Sequence, residues 1–92
     1  MSKRLLLPAQ PLKRYYFDYF GDAITSDEEG VELPDINAAQ EEATHALADV
    51  ARDVAQGFSE DRPNYRMSIE VRGGGGPVLR AKLVLDVVRQ RN

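Results

Sequence analysis

The stretch at residues 34–57 constrains the fold most, because it carries a helix start signal, a helical period and a stop signal together. Asp35 can cap the first turn with its carboxylate, and Gly57 can end the helix. Apolar residues fall on one face, namely Ile36, Ala39, Ala43, Ala46, Leu47, Val50, Ala51 and Val54. The opposite face carries Glu41, His45, Asp49, Arg52 and Gln56. The pattern predicts one long amphipathic helix that covers an apolar surface.

Strand patterns lie on both sides of this helix. The aromatic segment 14–20 predicts a strand with Tyr15, Phe17 and Tyr19 facing the core, whereas Asp18 marks the other face as the wetter one. Short extended pieces at 23–26 and 30–33 flank an acidic turn, and the first piece should pair with the aromatic strand. Segments 65–72 and 78–88 alternate around a glycine-rich hairpin connection, with inward residues Tyr65, Met67, Ile69, Val71, Leu79, Ala81, Leu83, Leu85 and Val87.

These elements predict a two-layer α+β fold in the order β-β-α-β-β, with one extra short extended piece before the helix. The helix should pack on one face of a mostly antiparallel sheet of about four strands. Residues 13–92 form one α+β domain in this interpretation, and residues 1–12, interrupted by Pro8 and Pro11, form a flexible N-terminal arm.

Composition excludes several kinds of chemistry. The chain of 92 residues has no cysteine, which removes disulfides, thiolate metal sites and cysteine nucleophiles. Its apolar runs are too short for an export signal or a membrane span. We therefore expect a small cytoplasmic protein that contacts no membrane.

Charge is strongly segregated along the chain. Residues 1–14 carry a net charge of +4, residues 15–61 carry −12, and residues 62–92 carry +5. Two interpretations stay open. The acidic middle and the basic ends can lie near each other and attract weakly, or they can form two oppositely charged faces, one of which meets a partner.

Three patterns that could carry chemistry have simpler explanations. The four glycines at 73–76 are followed by a strand and by no Gly-Lys-Ser/Thr, so they do not form a phosphate loop. The acidic turn lacks the ligand spacing of a calcium loop. His45, the single histidine, lies on the polar helix face with no nucleophile motif beside it. The sequence thus predicts no catalytic residue, no metal site and no cofactor.

The sheet face away from the helix is the best candidate for a binding surface. It should display aromatic and cationic side chains, namely Tyr16, Phe20, Arg66, Arg72, Arg80 and Lys82. Single-stranded nucleic acid binders combine such residues, although the net charge of −3 argues against a polyanionic partner. The long Arg and Lys side chains can also simply cover the aromatic rings, or a second copy can pack there.

Four segments carry a family resemblance: RYYFD at 14–18, DEEGVELPD at 27–35, AQEEA at 39–43 and IEVR at 69–72. Together they resemble a family of short alphaproteobacterial proteins, common in rhizobia, that is known as a domain of unknown function. The resemblance covers about residues 13–88 and implies no activity. Residues 14–56 are also similar to antitoxins of the HicB type, small αβ domains that neutralise an RNA-cleaving toxin.

The expected function is a non-enzymatic binding or regulatory module that acts through protein contacts, with a homodimer among the open possibilities. The alternatives are a HicB-like antitoxin and a nucleic-acid-binding module that uses the open sheet face. An enzyme is the last alternative, because no residue pattern supports catalysis.

Overall fold

The computed structural model describes residues 11–57 and 64–90. It contains five strands and one helix, which are β1 (Lys13–Phe20), β2 (Ile24–Thr25), β3 (Val31–Leu33), α1 (Ile36–Gln56), β4 (Asn64–Gly73) and β5 (Gly76–Asp86). The strands form one open sheet in the order β2-β1-β4-β5, and β3 pairs with the first residues of β1. All pairings are antiparallel. The predicted α+β class and the pairing of the first short piece with β1 are confirmed.

The helix begins and ends at the residues that the sequence predicts. Asp35 precedes α1 in an extended conformation, and its Oδ1 accepts a hydrogen bond of 2.9 Å from the Ala38 amide. This bond satisfies one of the four amides that the first helical turn leaves without a partner. Gly57 follows the last helical residue, and its amide donates to the carbonyl of Asp53. No helix in the described part of the chain is both long and apolar enough to cross a membrane.

The core lies between the middle of α1 and the sheet. Its buried members are Ala39, Ala43 and Leu47 on the helix, Tyr15 on β1, and Ile69 and Val71 on β4. The alanines let the helix approach the sheet closely, so Ile69 and Val71 lose all contact with solvent. The predicted polar face of α1, including His45, is exposed. Apart from Ile36, the predicted apolar stripe is buried or half-buried, and the predicted inward faces of β1 and β4 are confirmed.

Two predicted core residues lie at the ends of elements and are not buried. Ile36 is 45% exposed, because it is the first helical residue and precedes the buried stretch that begins at Ala39. Val87 is 49% exposed, because β5 ends at Asp86, opposite the first residue of β4, and no strand lies beside it. Both predictions were wrong because side-chain periodicity says nothing about where the opposing layer stops.

Two glycines are required by the backbone. Gly30 ends the acidic turn with a φ of 72°, and a Cβ there would lie 2.9 Å from the Tyr15 carbonyl oxygen. Gly76 has a φ of 123° where the hairpin returns into β5. Only glycine adopts these conformations without strain. The predicted arm falls largely on residues 1–10, which lie outside the described residues.

A substitution in the helix stripe tests this core. Leu47→Ala should lower the free energy of unfolding by about 2–4 kcal/mol, because it leaves a cavity against the sheet. His45→Ala, two residues earlier on the exposed face, is the control and should change it by less than about 0.5 kcal/mol. Urea denaturation followed by circular dichroism measures both variants. Equal stabilities for the two would show that α1 does not organise the core.

Candidate binding face

All six predicted face residues lie on the side of the sheet that the helix does not cover. The strand register sets them in rows, because directly opposite residues of antiparallel strands share a face. Tyr16 lies opposite Arg72, and Glu70 lies between Asp18 on one side and Arg80 on the other. Ser68 lies between Phe20 and Lys82 in the next row, and Arg66 lies opposite Val84 beyond it. The structure therefore brings the six residues to one surface, which we call the open face.

One half of the open face is held by an ion pair around Asp18. The Nε of Arg72 donates to one carboxylate oxygen at 2.6 Å, and its Nη2 donates to the other at 3.2 Å. The same Nη2 also donates to the carbonyl of Asp27 at 2.8 Å. The guanidinium lies 4.8 Å from the centre of the Tyr16 ring, within range of a cation–π contact. Arg72 and Tyr16 thus contact each other and are not free to meet a partner.

The burial of Asp18 contradicts the prediction that its face of β1 is the more solvent-exposed one. The residue is only 6% exposed, although its neighbours along the strand on that face are more open. A carboxylate tolerates burial when charged and hydrogen-bonding groups surround it. The bidentate bond from Arg72 lowers the pKa of Asp18, against the opposing effect of burial. The carboxylate is therefore ionised at neutral pH and fixes the face in place.

A second carboxylate fastens the acidic turn to the edge of β1. The oxygens of Asp27 accept hydrogen bonds from the amides of Phe17, Glu29 and Gly30, at 3.0 to 3.1 Å. These hydrogen bonds from backbone amides lower the pKa of Asp27, and the bond from Gly30 has the largest effect. The Asp27 amide in turn donates to Asp18 at 2.9 Å. The first carboxylate of the acidic turn is therefore committed to the backbone, whereas Glu28 and Glu29 are exposed.

The cations of the open face divide into paired and unpaired groups. Arg80 bonds to Glu70 at 3.3 Å, and Arg72 bonds to Asp18. Within residues 11–57 and 64–90, Arg66 and Lys82 make no ion pair. Among the described cations of the predicted face, only Arg66 and Lys82 therefore offer their charge to a partner.

The unpaired cations lie beside exposed apolar side chains. Ile24 of β2 lies opposite Phe20 and is 74% exposed, while Phe20 is 37% and Val84 is 50% exposed. A shallow depression of about 360 Å³ is lined by Phe20, Ile24, Arg66, Ser68 and Lys82, among others. We define the basic–apolar patch as Phe20, Ile24, Arg66, Lys82 and Val84. Ile24 and Val84 were not among the predicted site residues. The alternation of β5 places Val84 on the same face as Lys82, whereas only the strand register adds Ile24.

An acidic groove lies on the opposite side of the sheet. The helix leaves Phe17 and Tyr19 only half-buried, and these rings line a groove of about 490 Å³ together with Glu28, Glu29 and Glu42. The interpretation in which oppositely charged segments lie near each other is confirmed in part, because Arg14 pairs with Glu32, and Arg72 with Asp18, across the segments. The interpretation with two oppositely charged faces, one of which meets a partner, stays a prediction. Within the described residues, no group of three or more His, Asp or Glu is placed to hold a metal ion.

The comparison with protein families identifies the chain. The family named Domain of unknown function (DUF6894) matches residues 14–84, which is most of the chain, and the chain belongs to this family. No curated protein and no solved structure matches it. The predicted membership of a family of unknown function is confirmed. The rhizobial origin and the HicB-type likeness stay predictions, since neither is supported by a match.

The Asp18 cluster can be tested by removing one charge. Asp18→Asn should lower the free energy of unfolding by about 1–3 kcal/mol, because Arg72 and the Asp27 amide lose a charged acceptor in a buried position. The matched control is Glu32→Gln, which removes the same charge from the exposed pair with Arg14 and should cost less than about 1 kcal/mol. Thermal or urea unfolding measures both. Equal losses would mean that Asp18 is an ordinary surface carboxylate.

Proposed function

We propose that this protein is a non-enzymatic binding or regulatory module that meets its partner through the basic–apolar patch. The observation that carries the proposal is the position of two cations without ion pairs, Arg66 and Lys82, beside three exposed apolar side chains. The other cations of the same face are neutralised within the chain. The patch is therefore the part of the open face whose charges and apolar side chains are available to a partner.

The chemistry of the patch favours a protein as the partner. Exposed apolar side chains that adjoin one another on an uncovered sheet face gain free energy when a partner removes them from water. Aromatic rings and arginines contribute strongly at the centres of protein interfaces. Two cations at such a site select a partner that carries carboxylates next to an apolar side chain. We infer an acidic protein surface with an exposed apolar anchor.

The absence of enzymatic activity is part of the same proposal. His45, the chain's single histidine, lies on the exposed face of α1, on the opposite side of the sheet from the patch. The carboxylates of Asp18 and Asp27 have lowered pKa values and are fully engaged in hydrogen bonds. A general acid near neutral pH requires a raised carboxyl pKa, so these groups support structure and not proton transfer.

A nucleic-acid-binding module is the second candidate. Phe20 lies in the same patch as Arg66 and Lys82, and single-stranded nucleic acids bind where aromatic rings adjoin cations. Against this candidate, Tyr16 is covered by Arg72, and Arg80 is paired with Glu70. Two unpaired cations and a net charge of −3 attract a polyanion weakly.

A toxin-neutralising role of the HicB type is a special case of protein binding. Its support is the similarity of residues 14–56 to that antitoxin type. It would require the toxin's surface to be acidic and apolar where it meets the patch, which gives the proposal a specific partner to examine.

The experiment compares three baits in co-purification from the native cell. The baits are the wild-type chain, the double variant Arg66→Glu/Lys82→Glu and the control Arg80→Gln. Both variants change the same sheet face, but only the double variant alters the patch. We expect a protein partner that is retained by wild type and by Arg80→Gln and is lost with the double variant. Phe20→Ala should weaken binding of that purified partner by about tenfold or more.

Titration with fluorescent single-stranded RNA and DNA at low and physiological salt tests the second candidate. Polyanion binding falls steeply with salt, whereas an interface with a large apolar part depends on salt less. Binding tighter than about 10 μM at physiological salt, abolished by Arg66→Glu/Lys82→Glu, would replace the protein-binding proposal by a nucleic-acid-binding one. Retention of the protein partner by the double variant would contradict the role of the patch.

A further inference from the structure

Strand β5 lies at the end of the sheet. It is eleven residues long, it pairs with β4, and no other strand in the described ranges lies beside it. A terminal strand presents a row of unpaired amides and carbonyls along its outer edge, and such a row pairs readily with another extended chain. The opposite end of the sheet is different, because the short strands β2 and β3 and the side chain of Asp27 occupy the outer edge of β1.

The inward side chains of β5 are less buried than those of the neighbouring strand β4. Its inward residues Leu79, Ala81, Leu83 and Leu85 are all half-buried, whereas Ile69 and Val71 on the neighbouring strand are fully buried. Val78 and Val84 are exposed on the strand, and Val87 and Val88 are exposed just after it. Four of the nine exposed large apolar side chains in the described residues therefore lie on or just after β5, the long terminal strand.

We propose that two copies of this chain associate through β5, antiparallel and centred on Leu83, so that the two sheets become continuous. Such a contact is isologous, because both copies use the same surface. If a residue of one copy meets a second residue of its partner, the same contact therefore occurs again with the copies exchanged. Side chains opposite each other across the new pair share a face of the sheet. The register therefore fixes every cross-copy contact.

The sequence of β5 is self-complementary in this register. Arg80 lies opposite Asp86 of the second copy, and this pair occurs twice. Arg80 also bonds to Glu70 at 3.3 Å within its own chain, so its exposed guanidinium would bridge two carboxylates. Leu83 lies opposite its own counterpart, Ala81 opposite Leu85, and Val78 opposite Val88. Asp86 has no ion pair within the described part of the chain, so it is available to the second copy. Opposite charges in cross-strand pairs are stabilising, and like charges are destabilising.

Neighbouring registers are less favourable. Centring on Ala81 would place Arg80 opposite Lys82 twice, and centring on Lys82 would place that lysine opposite itself. Centring on Val84 would place Lys82 opposite Asp86, but it shortens the overlap within the existing strand and leaves Arg80 opposite Val88. The Leu83 register combines opposite charges with the longer overlap.

The contact would have a consequence for the open face. A two-fold axis perpendicular to the sheet keeps both helices on one side and both open faces on the other. Lys82 and Val84 then lie across from Val84 and Lys82 of the second copy, so that the two basic–apolar patches adjoin. The dimer itself does not rest on the proposed function, because it requires only the edge of β5.

Sedimentation velocity of the full chain across a concentration series tests the proposal. We expect a reversible dimer for wild type. Arg80→Asp places two like charges opposite each other twice and should weaken association by about tenfold or more. The exchange Arg80→Asp/Asp86→Arg restores both pairs and should restore the dimer. Lys82→Glu is the matched control on the same strand and face, and in this register it should leave the dimer intact.

Three outcomes would contradict the proposed dimer or its register. Circular dichroism of each variant shows whether the monomer is folded, and failure of the exchange variant to restore association in a folded chain would overturn the register. A wild-type chain that remains monomeric at several hundred micromolar would overturn the dimer. Loss of the dimer in Lys82→Glu, with Arg80→Asp still dimeric, would contradict Leu83 as the centre. The failure of the patch proposal is distinguishable, since Arg66→Glu affects the patch and not this edge.

Discussion

The ionised carboxylate of Asp18, held by Arg72, is the interaction on which the arrangement of the open face depends. It joins β1 to β4 by a bidentate bond and accepts from the amide of Asp27. Asp27 then binds the backbone of Phe17 and closes the turn at Gly30. The short strands β2 and β3 lie on either side of that turn. A buried charge with this many partners is stabilising only as a complete set, because each lost bond leaves a desolvated group.

The same cluster explains why half of the open face is structural. Arg72 and Tyr16 are used by the fold itself, and Arg80 is held by Glu70. What remains is the basic–apolar patch, where Arg66 and Lys82 flank exposed apolar side chains. The charged segments of the sequence are therefore brought together in part, because Arg14 and Arg72 of the basic segments pair with Glu32 and Asp18 of the acidic one. The acidic groove beside α1 and the basic–apolar patch lie on opposite sides of the sheet.

Much of the fold is predictable from local patterns, and the failures have physical reasons. The caps at Asp35 and Gly57 and the alternation in β4 depend on neighbouring residues, so the sequence displays them directly. Ile36 and Val87 were misplaced because a period does not reveal where the opposing layer ends. Asp18 was misplaced because its partner Arg72 lies 54 residues away along the chain. Likewise Ile24 joins the patch only through strand pairing, and membership of the DUF6894 family supplies no residue roles.

The most direct test is the pKa of Asp18, measured from its carboxyl ¹³C shift in an NMR titration of the wild-type chain and of Arg72→Gln. The bond from Arg72 should hold the wild-type pKa below 3.8, and removing the guanidinium should raise it. Because the folded pKa is lowered, the stabilisation is present above about pH 4 and is lost as the pH falls through the folded value. A wild-type pKa at or above 3.8, unchanged in Arg72→Gln, would contradict the account.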